Sequence, residues 1–514
     1  MKGAEAMGEQ ISDTASGTEV RERYMFWACF IALIATAFGF IVRTQIINEW
    51  GLEFNLSETQ KGEILGAGLW PFALTIVLFS LIVDRIGYGR AMVFAFICHV
   101  TSVVVTIQAK NYETLYFGTV ISALGNGTVE AVINPIVVTM FAKQKVKWLN
   151  ILHAGWPGGL VLGGVIAISM GDIDWKFKIG LILVPTLIYG AMMFRQKFPV
   201  HERVVAGVSY KEMLKEVGVL GALIIVSLMV RQIGQVFGFA LPVQIGLIVA
   251  IVGAYGFYVR SLGRPLFIVL LLIMLPLATT ELGTDSWITE LLTPEMDKLG
   301  FHAGWVLIYT SFIMMVLRFS AGPIVGRIAP LGLLAASSLV AILGLLSLSA
   351  AAGATIFPAA TLYGVGKSFF WPTMLGVVAE QYPKGGALTL NTIAGVGMLG
   401  VGIVGSVFLG VIQDRKIDSA LLEKSPEIHA QVIGEEQASV LGRYRAIDLD
   451  KVETAPEEAK EIIGEVTAEA KSALGTTAIF PAIMLVSYLL LMLYFRSKGG
   501  YKIMTLDTPA TPNE

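Results

Sequence analysis

Long runs of apolar residues, separated by short polar loops, dominate the sequence from residue 24 to residue 496. A helix that crosses a bilayer needs about 20 mostly apolar residues. Fourteen runs have this length, and each is predicted to be a spanning helix. The runs lie near residues 24–47, 58–83, 91–109, 114–142, 148–170, 177–195, 213–233, 238–259, 265–284, 303–322, 331–351, 354–379, 387–411 and 476–496. Only the stretch from Arg231 to Phe237 separates the seventh and eighth runs, so these could be two crossings or one re-entrant pair.

The spacing of the runs predicts an all-α membrane protein built from two six-helix bundles, with two extra helices between the halves. The predicted segments are an N-terminal tail at 1–23, a first bundle at 24–195, a linker with the extra helices at 196–264, a second bundle at 265–496 and a C-terminal tail at 497–514. Residues 412–475 interrupt the second bundle as a long external insertion. We interpret this insertion as a solvated accessory hairpin, and a gate or partner site is the alternative.

Lysine and arginine are distributed unevenly between the two sets of loops. Loops after even-numbered runs hold thirteen of them, whereas short loops after odd-numbered runs hold three. Loops rich in Lys and Arg stay on the cytoplasmic side. We therefore expect a multi-pass protein of the cell membrane, inner or plasma, with both termini in the cytoplasm.

Composition agrees with a membrane protein and excludes several other classes. Of the 514 residues, 55% are apolar and 15% are charged, and the mean hydropathy is +0.71. Soluble globular chains carry about 25% charged residues. The net charge of −2 gives no support to nucleic-acid binding. Cys29 and Cys98 both lie in apolar runs, where a disulfide scaffold is implausible.

Glu130 is the clearest candidate for chemistry, because it lies near the middle of the fourth run. An ionisable side chain at the bilayer centre costs about 2.5–3.5 kcal/mol on insertion scales, so it usually faces a partner or a wet cavity. Asn126 and Asn134 lie four residues to either side, on the same helical face. Burial favours the neutral carboxyl, which suits a group that takes up and releases a proton. A permanently protonated Glu that bonds a neighbouring helix is the alternative.

Three further charges lie inside predicted spans, namely Arg43, Glu281 and Lys367. If the seventh and eighth runs are set aside, these charges and Glu130 fall on the first helix of each of four triplets. The two positive and two negative groups could then neutralise one another around a central cavity that binds the solute. As alternatives, Arg43 could extend to the membrane surface, and Glu281 could be interfacial.

Softer candidates are found in the fifth, twelfth and thirteenth runs. His153 is a second candidate for proton transfer, with a neutral His bonded to helix backbone as the alternative. Asn150 and Asn391 could bind substrate or join helices to one another. Trp371 could stack on a sugar ring or serve only in packing.

The loop between the second and third runs reads Ser-Leu-Ile-Val-Asp-Arg-Ile-Gly-Tyr-Gly-Arg over residues 80–90. This loop resembles the signature loop of the major facilitator superfamily, Gly-x-Leu-x-Asp-Arg-x-Gly-Arg-Arg. An acid at a helix end can pair with a basic residue or a helix N-terminus and so close the bundle. In the second half, the equivalent stretch 322–327 has Gly326 in place of the acid. The predicted cytoplasmic gate consists of Asp84, Arg85, Gly87, Arg90 and Arg327.

Within that superfamily, the chain is most similar to the fucose, galactose and glucose proton symporter family. Residues 125–135, Gly-Asn-Gly-Thr-Val-Glu-Ala-Val-Ile-Asn-Pro, resemble its fourth-helix motif, and 149–159 and 370–373 resemble two further segments. The resemblance implies proton or substrate handling by Glu130 and substrate contact by Asn134. Such symporters tend to carry an acid in the first helix, where this chain has Arg43. A different coupling ion, an anionic substrate or an altered stoichiometry therefore stays open.

These observations predict a secondary transporter that takes up a sugar or similar small polar solute together with a proton, or with sodium. We expect it to work as a monomer in the lipid bilayer, without a cofactor or metal. A drug or metabolite exporter of the same superfamily is the first alternative. A polytopic membrane enzyme with an acidic metal-binding pair at Asp172 and Asp174, or a non-transporting sensor, is a further one. The chain has no Gly-x-x-x-x-Gly-Lys-Ser/Thr loop, which argues against an ATP-driven pump.

Overall fold

The computed structural model describes residues 2–171, 173–439, 442–448, 451–452 and 454–506, and most of these residues are helical. Within these ranges, twelve helices are long and apolar enough to cross a membrane. Gly304–Phe319 is apolar but shorter, and Ile356–Lys367 and Phe370–Gln381 form one further apolar segment with a break in its middle. Together these segments account for every predicted run, so the predicted helical membrane fold is confirmed.

The chain divides into two compact units. The first consists mainly of Met1–Ser209 and includes the short segment Gly386–Asn391. Its helices are Lys2–Glu53, Glu58–Gly66, Trp70–Ile86, Tyr88–Ile107, Tyr112–Met140, Lys145–Leu152, Gly155–Ser169, Trp175–Gly180, Leu183–Met193 and Glu202–Val205.

The second unit comprises Tyr210–Gly385 and Thr392–Met504, and it includes the two helices predicted as extra. The helix Gly386–Gly400 begins in the first unit and continues into the second. Two π-helical turns lie at Thr279–Gly283 and Val401–Gly405. The remaining helices of this unit are Tyr210–Val236, Leu241–Val259, Pro265–Ala278, Thr284–Lys298, Gly304–Phe319, Ala321–Val325, Pro330–Ala350, Ile356–Lys367, Phe370–Gln381, Ser406–Lys424, Pro426–Val432, Glu457–Glu469, Ala473–Thr477 and Ile479–Ser497.

The helices differ strongly in how far protein covers them. In Tyr112–Met140, 83% of the most apolar stretch is buried inside the protein, whereas in Leu241–Val259 the figure is 17%. A helix that is apolar on all sides but largely uncovered presents its side chains to lipid. The fourth span is therefore internal, and the eighth lies at the periphery of its unit.

The helix Tyr210–Val236 is broken at Gly218, whose φ of +61° lies in the left-handed region. At the break, Val219 N–H donates to the Ser261 carbonyl and Leu220 N–H to the Leu262 carbonyl. A Cβ atom on Gly218 would lie 2.0 Å from the backbone nitrogen of Gly263. Only glycine therefore allows the loop after the eighth span to approach this helix so closely.

The insertion 412–475 forms a small module with its own core. It consists of the end of helix Ser406–Lys424, the hairpin of β1 (Ile433–Ser439) and β2 (Gly442–Ile447), and helix Glu457–Glu469. The buried residues that form its core are Ile417, Leu421, Val432, Ile463 and Val466. Helix Glu457–Glu469 lies within residues 455–474, whose richness in Glu, Lys and Ala predicts a surface helix. The insertion was predicted as a solvated hairpin, but its two β-strands were not, because they are mostly polar and lack an apolar alternation.

An ion pair attaches this module to the ends of the spanning helices in the same unit. Lys471 Nζ lies 3.2 Å from Glu295 Oε1 and donates to the Ala351 carbonyl at 2.8 Å. Gly353 N–H donates to the other carboxylate oxygen of Glu295 at 3.3 Å. These hydrogen bonds and the cation lower the pKa of Glu295 against the opposing effect of burial.

Candidate functional site

A carboxylate, an imidazole and an amide meet inside the first unit. Glu130 and Asn134 lie one turn apart on helix Tyr112–Met140, and His153 follows the last residue of helix Lys145–Leu152. His153 Nε2 lies 2.9 Å from Asn134 Oδ1 and 3.8 Å from Glu130 Oε1. All three side chains are buried. The structure thus brings together both residues predicted to bind protons and one predicted to bind substrate.

Pro135 explains where a second predicted residue, Asn391, is bonded. Proline has no N–H, so the carbonyl of Ala131, four residues earlier, has no intrahelical partner. Asn391 Nδ2 donates to this carbonyl at 2.9 Å. Asn150 Nδ2 donates to the Val146 carbonyl of its own helix at 2.9 Å. Both amides therefore make the structural contacts that were the alternative to substrate binding.

A hydrogen-bonded chain of three side chains lies one turn from Glu130. His99 Nε2 lies 2.9 Å from Asn126 Oδ1, and His99 Nδ1 lies 3.0 Å from the Tyr189 hydroxyl. An amide oxygen can only accept, so Nε2 carries the hydrogen, Nδ1 accepts, and the tyrosine donates. Asn126 was a predicted site residue, but His99 and Tyr189 were not. Their signal was only that each is a polar ring inside an apolar run.

Arg43 lies inside the protein and does not extend to its surface. The side chain is 5% exposed. Its Nη1 donates to the Gly39 carbonyl at 3.0 Å, and its Nη2 donates to Ser102 Oγ at 2.7 Å. The Ser102 hydroxyl in turn donates to the Gly118 carbonyl at 2.6 Å. The structure therefore rules out the snorkelling alternative for this residue.

In the second unit, Glu281 forms a buried ion pair with Arg318. Arg318 Nη2 donates to Glu281 Oε1 at 2.6 Å, and the two side chains are 1% and 3% exposed. Arg318 Nε also donates to the Ser368 carbonyl at 2.6 Å. The backbone N–H of Trp371 donates to Glu281 Oε2 at 3.1 Å. The pair therefore binds the backbone on both sides of the break between Ile356–Lys367 and Phe370–Gln381.

Lys367 is paired with Asp285, which lies one turn beyond Glu281. Lys367 Nζ contacts both carboxylate oxygens, with Oδ2 at 2.6 Å. It also lies 3.4 Å from Thr310 Oγ1 and 5.0 Å from the centre of the Tyr363 ring. The Tyr363 hydroxyl donates to the Thr280 carbonyl at 2.8 Å. Glu281 itself lies in the π-helical turn Thr279–Gly283, a geometry that is frequent at functional sites.

Arg43, Glu130, Glu281 and Lys367 were expected to neutralise one another, but among the described residues Arg43 contacts only the neutral groups of Gly39 and Ser102, and the expectation is also wrong for Glu281 and Lys367. Glu281 and Lys367 are instead paired with Arg318 and Asp285 within their own unit. The sequence did contain a signal for the acid, since residues 281 and 285 are four apart and share a helical face. Arg318 was overlooked because it lies close to the end of its predicted run.

Asp84 of the predicted gate forms a buried ion pair with Arg203, which lies in the segment between the sixth and seventh spans. Their side chains are 7% and 5% exposed. Arg203 Nη1 also donates to the Val208 carbonyl at 2.6 Å. Beside this pair, Lys145 Nζ lies 2.5 Å from Glu202 Oε1. The basic partner that the sequence analysis left open for Asp84 is thus Arg203.

The other residues predicted for the gate differ from Asp84 in their exposure. Arg85, Arg90 and Arg327 are exposed. Gly87 has a φ of +84° and forms the turn between helices Trp70–Ile86 and Tyr88–Ile107. The glycine of the loop therefore has a conformational role, and the acid has an ionic one.

His201 adjoins the Asp84 cluster and was not predicted. It is 2% exposed, and its Nδ1 accepts the N–H of Arg203 at 3.1 Å. Burial lowers the pKa of His201 to about 4, although the nearby Asp84 opposes this shift. His201 is therefore neutral at physiological pH and acts here as a hydrogen-bond acceptor.

Nothing in the geometry suggests a metal centre among the described residues, in which no group of three or more His, Cys, Asp or Glu side chains is placed to hold an ion. Of the acidic pair considered for a membrane enzyme, Asp172 lies outside the described residues. Asp174 Oδ1 accepts the N–H of Lys176 at 2.8 Å and caps the helix Trp175–Gly180.

Comparison with solved structures shows several transporters of the same fold. A variant of the E. coli fucose:proton symporter is matched with a TM-score of 0.54 and 14% identity, over 88% of this chain and 98% of that one. The proton:xylose symporter XylE bound to 6-bromo-6-deoxy-D-glucose gives 0.59 and 12%, over 91% and 96%. The human organic anion transporter TETRAN gives 0.56 and 11%, over 91% and 99%. Identities this low indicate a shared fold alone.

A family model provides the assignment. The model of the Major Facilitator Superfamily matches residues 24–408, well over half of the chain. The match covers the signature loop around Asp84 and the fourth span with Glu130. The chain therefore belongs to the major facilitator superfamily of membrane transporters.

Proposed function

We propose that this protein is a secondary transporter that takes up a sugar or similar small polar metabolite together with a proton, by alternating access of its two bundles. The observation that carries the proposal is the buried group of Glu130, Asn134 and His153. In a superfamily whose members move solutes, a carboxyl and an imidazole 3.8 Å apart form a site that can hold a proton.

In this proposal Glu130 binds the coupling proton and His153 adjusts its affinity, while Asn134 and Asn126 contribute to solute binding. Trp371 and the ion pairs of Glu281 and Lys367 belong to the second bundle, where they hold the broken twelfth span in shape. Asn150 and Asn391 support the helices that carry the site. The side-chain contacts described above support these proposed roles.

We further propose that both termini lie in the cytoplasm of a cell whose inner or plasma membrane holds the protein. The uneven distribution of Lys and Arg in the loops supports this orientation. The Asp84–Arg203 pair would then lie on the cytoplasmic side and act as a latch of the first bundle. Because both charges are buried, breaking the pair is costly, as a latch requires.

The test is uptake by purified protein in proteoliposomes with an imposed proton gradient. Glu130→Gln removes the titratable group while it keeps the size of the side chain. We expect this variant to lose uphill accumulation and to retain solute exchange, since exchange needs no net proton movement. Glu113→Gln, an exposed residue at the start of the same helix, is the matched control and should behave as wild type. Undiminished uphill uptake by Glu130→Gln would refute the proposal.

Export of a drug or metabolite is the second candidate. The observation that favours it is the pair of additional helices, Tyr210–Val236 and Leu241–Val259, because an insertion of two helices also occurs among exporters. Inverted membrane vesicles separate the two functions. An uptake symporter accumulates solute in right-side-out vesicles when the outside is acidic, whereas an antiporting exporter accumulates it in inverted vesicles when the inside is acidic.

A further inference from the structure

Arg43 differs from every other buried cation in the described part of the chain. Six Lys and Arg side chains are buried there, and five have a carboxylate within ion-pairing distance. These pairs are Lys145 with Glu202, Lys178 with Glu49, Arg203 with Asp84, Arg318 with Glu281 and Lys367 with Asp285. Arg43 makes only neutral contacts, to Gly39 and Ser102, and its Nε atom is buried without a hydrogen-bond acceptor among the described residues.

A buried guanidinium without an anion is costly, because arginine does not lose its proton and neutral dipoles compensate its charge only in part. The rest of the described chain pairs each buried cation with an acid, so the missing anion at Arg43 is a specific gap. We propose that Arg43 binds the carboxylate of the transported solute, which makes the substrate a small carboxylic acid such as a sugar acid. This proposal rests on the transport function proposed above and specifies the class of its substrate.

The space beside Arg43 fits one small anionic group. A cavity of about 20 Å³ is bounded by Arg43 and by the polar residues Thr119, Ser122 and Asn126. One water molecule needs about 10–15 Å³ by this kind of measure. The cavity is therefore little larger than one water molecule, so it can take one oxygen of a carboxylate and is too small for a sugar ring. The remainder of the solute must lie outside it.

The hydrogen-bonded chain described above orients Asn126 for this task. Because His99 occupies the amide oxygen of Asn126, the NH₂ group remains as a donor at the cavity. Tyr189 in turn fixes the tautomer of His99 by donating to its Nδ1. A guanidinium and an amide NH₂ at one small cavity are the donors that a carboxylate prefers. His99 and Tyr189 are thus positioning residues for the proposed site.

The proposed site also predicts the net charge that crosses the membrane in each transport cycle. Asn126 and Glu130 are one turn apart on the same helix. A carboxylate at Arg43 and a proton on Glu130 together add no net charge to the carrier. Symport of one carboxylate with one proton is therefore electroneutral, whereas symport of a neutral sugar with a proton is electrogenic.

The first experiment measures how much each ligand raises the melting temperature of the purified protein. The carboxylates are galacturonate, gluconate and lactate, and each is compared with a neutral polyol. Galactose serves in addition as the neutral counterpart of galacturonate. We expect at least one carboxylate to stabilise the wild type and galactose to do so much less. Arg43→Gln should weaken the binding of the stabilising carboxylate by at least about tenfold. Arg23→Gln, an exposed residue on the same helix, is the matched control and should leave binding unchanged.

A second variant covers the case in which Arg43→Gln does not fold. Ser122→Asp places a carboxylate at the cavity, where it can pair with Arg43. This variant should be at least as stable as wild type and should no longer respond to the carboxylate. If no carboxylate stabilises the wild type, or if binding survives in Ser122→Asp, the proposal is overturned.

The charge prediction gives an independent readout in proteoliposomes. A valinomycin-imposed potential without a pH gradient should not drive accumulation of the carboxylate. If the chain instead accumulates galactose, responds to the potential and loses uphill uptake in Glu130→Gln, the substrate class is wrong while the proposed symport stands. If proton gradients drive neither solute, the proposed function itself fails.

Discussion

The imidazole of His153 lies 3.8 Å from the carboxylate of Glu130, and both side chains are buried. A charge on one of these groups changes the electrostatic energy of the other, so the proton affinity of each depends on the state of its neighbour. In the proposed function, the affinity of Glu130 for the coupling proton therefore depends on His153.

This relationship predicts the effect of His153→Gln. The glutamine amide can still bond to Asn134 but cannot take up a proton. We expect solute exchange to be kept, and the pH dependence of proton-driven uptake to change, with a loss of uptake of at least about tenfold on one side of the profile. Uptake by proteoliposomes over a series of pH values measures this. The exposed His302→Gln is the control, and a His153→Gln profile that coincides with wild type would contradict the prediction.

Lys367 and Asp285 should show the strong coupling of a buried pair. Lys367→Met or Asp285→Asn alone leaves the other charge buried and unpaired, and each should lower the free energy of unfolding by about 3–5 kcal/mol. The double variant should recover most of this loss, because it leaves neither charge behind. Thermal unfolding of the wild type, the two single variants and the double variant measures this coupling as a double-mutant cycle. Additive losses in the double variant would rule out the coupling, and the exposed pair Lys424–Glu465 offers a control without measurable effect.

His201 should make the stability of the Asp84 cluster depend on pH. Its pKa is about 4 in the folded protein and about 6.5 in an unfolded chain. Between these values the unfolded chain binds more protons, so stability is complete above pH 6.5 and falls as the pH drops towards 4. The loss for this one group amounts to at most about 3 kcal/mol. We expect the melting temperature to fall between pH 8 and pH 4, and we expect this fall to be smaller in His201→Gln. Parallel curves for the two proteins would remove His201 as the cause.

Gly218 and Gly246 should respond in opposite ways to the same substitution. A methyl group on Gly218 meets the backbone of Gly263 at 2.0 Å with φ at +61°, whereas nothing lies within 4 Å of a Cβ on Gly246. Gly218→Ala should therefore destabilise the second unit by at least about 2 kcal/mol. Gly246→Ala, within helix Leu241–Val259, should be neutral or stabilise it by about 0.5–1 kcal/mol. Melting temperatures of the two variants provide the comparison, and equal values would show that the close approach at Gly218 carries no cost.

The sequence was sufficient to predict the helices, because the bilayer imposes a length and an apolar composition that each run displays. It was also sufficient to identify Glu130 as a candidate site residue, because Glu130 is a charged residue in the middle of an apolar run. The same reasoning failed for Asp285, since that residue lies just beyond the end of its run at 284 and resembles an ordinary loop acid.

Partners were harder to predict than positions. Whether Lys367 faces Glu130, Glu281 or Asp285 depends on helix packing, which a single sequence does not encode in any local pattern. Asn391 is similar: its bond to the Ala131 carbonyl depends on Pro135, 256 residues away by numbering but adjacent in the fold. The two β-strands of the insertion escaped prediction because their mostly polar residues do not show the alternation of apolar and polar positions that marks a strand.

The twelfth span ends one half-helix at Lys367 and begins the next at Phe370, and its loose backbone groups are held by Arg318 and Glu281. Pro372 has no N–H, so the Ser368 carbonyl would have no helical partner even if this span straightened into one continuous helix. In such a helix the Trp371 N–H would bond to the Lys367 carbonyl, and Glu281 would lose this donor in a dry interior. The buried pair of Arg318 and Glu281 thus stabilises the interruption between the two half-helices. If the second bundle bends during the proposed transport cycle, we expect the bending to occur away from this interruption.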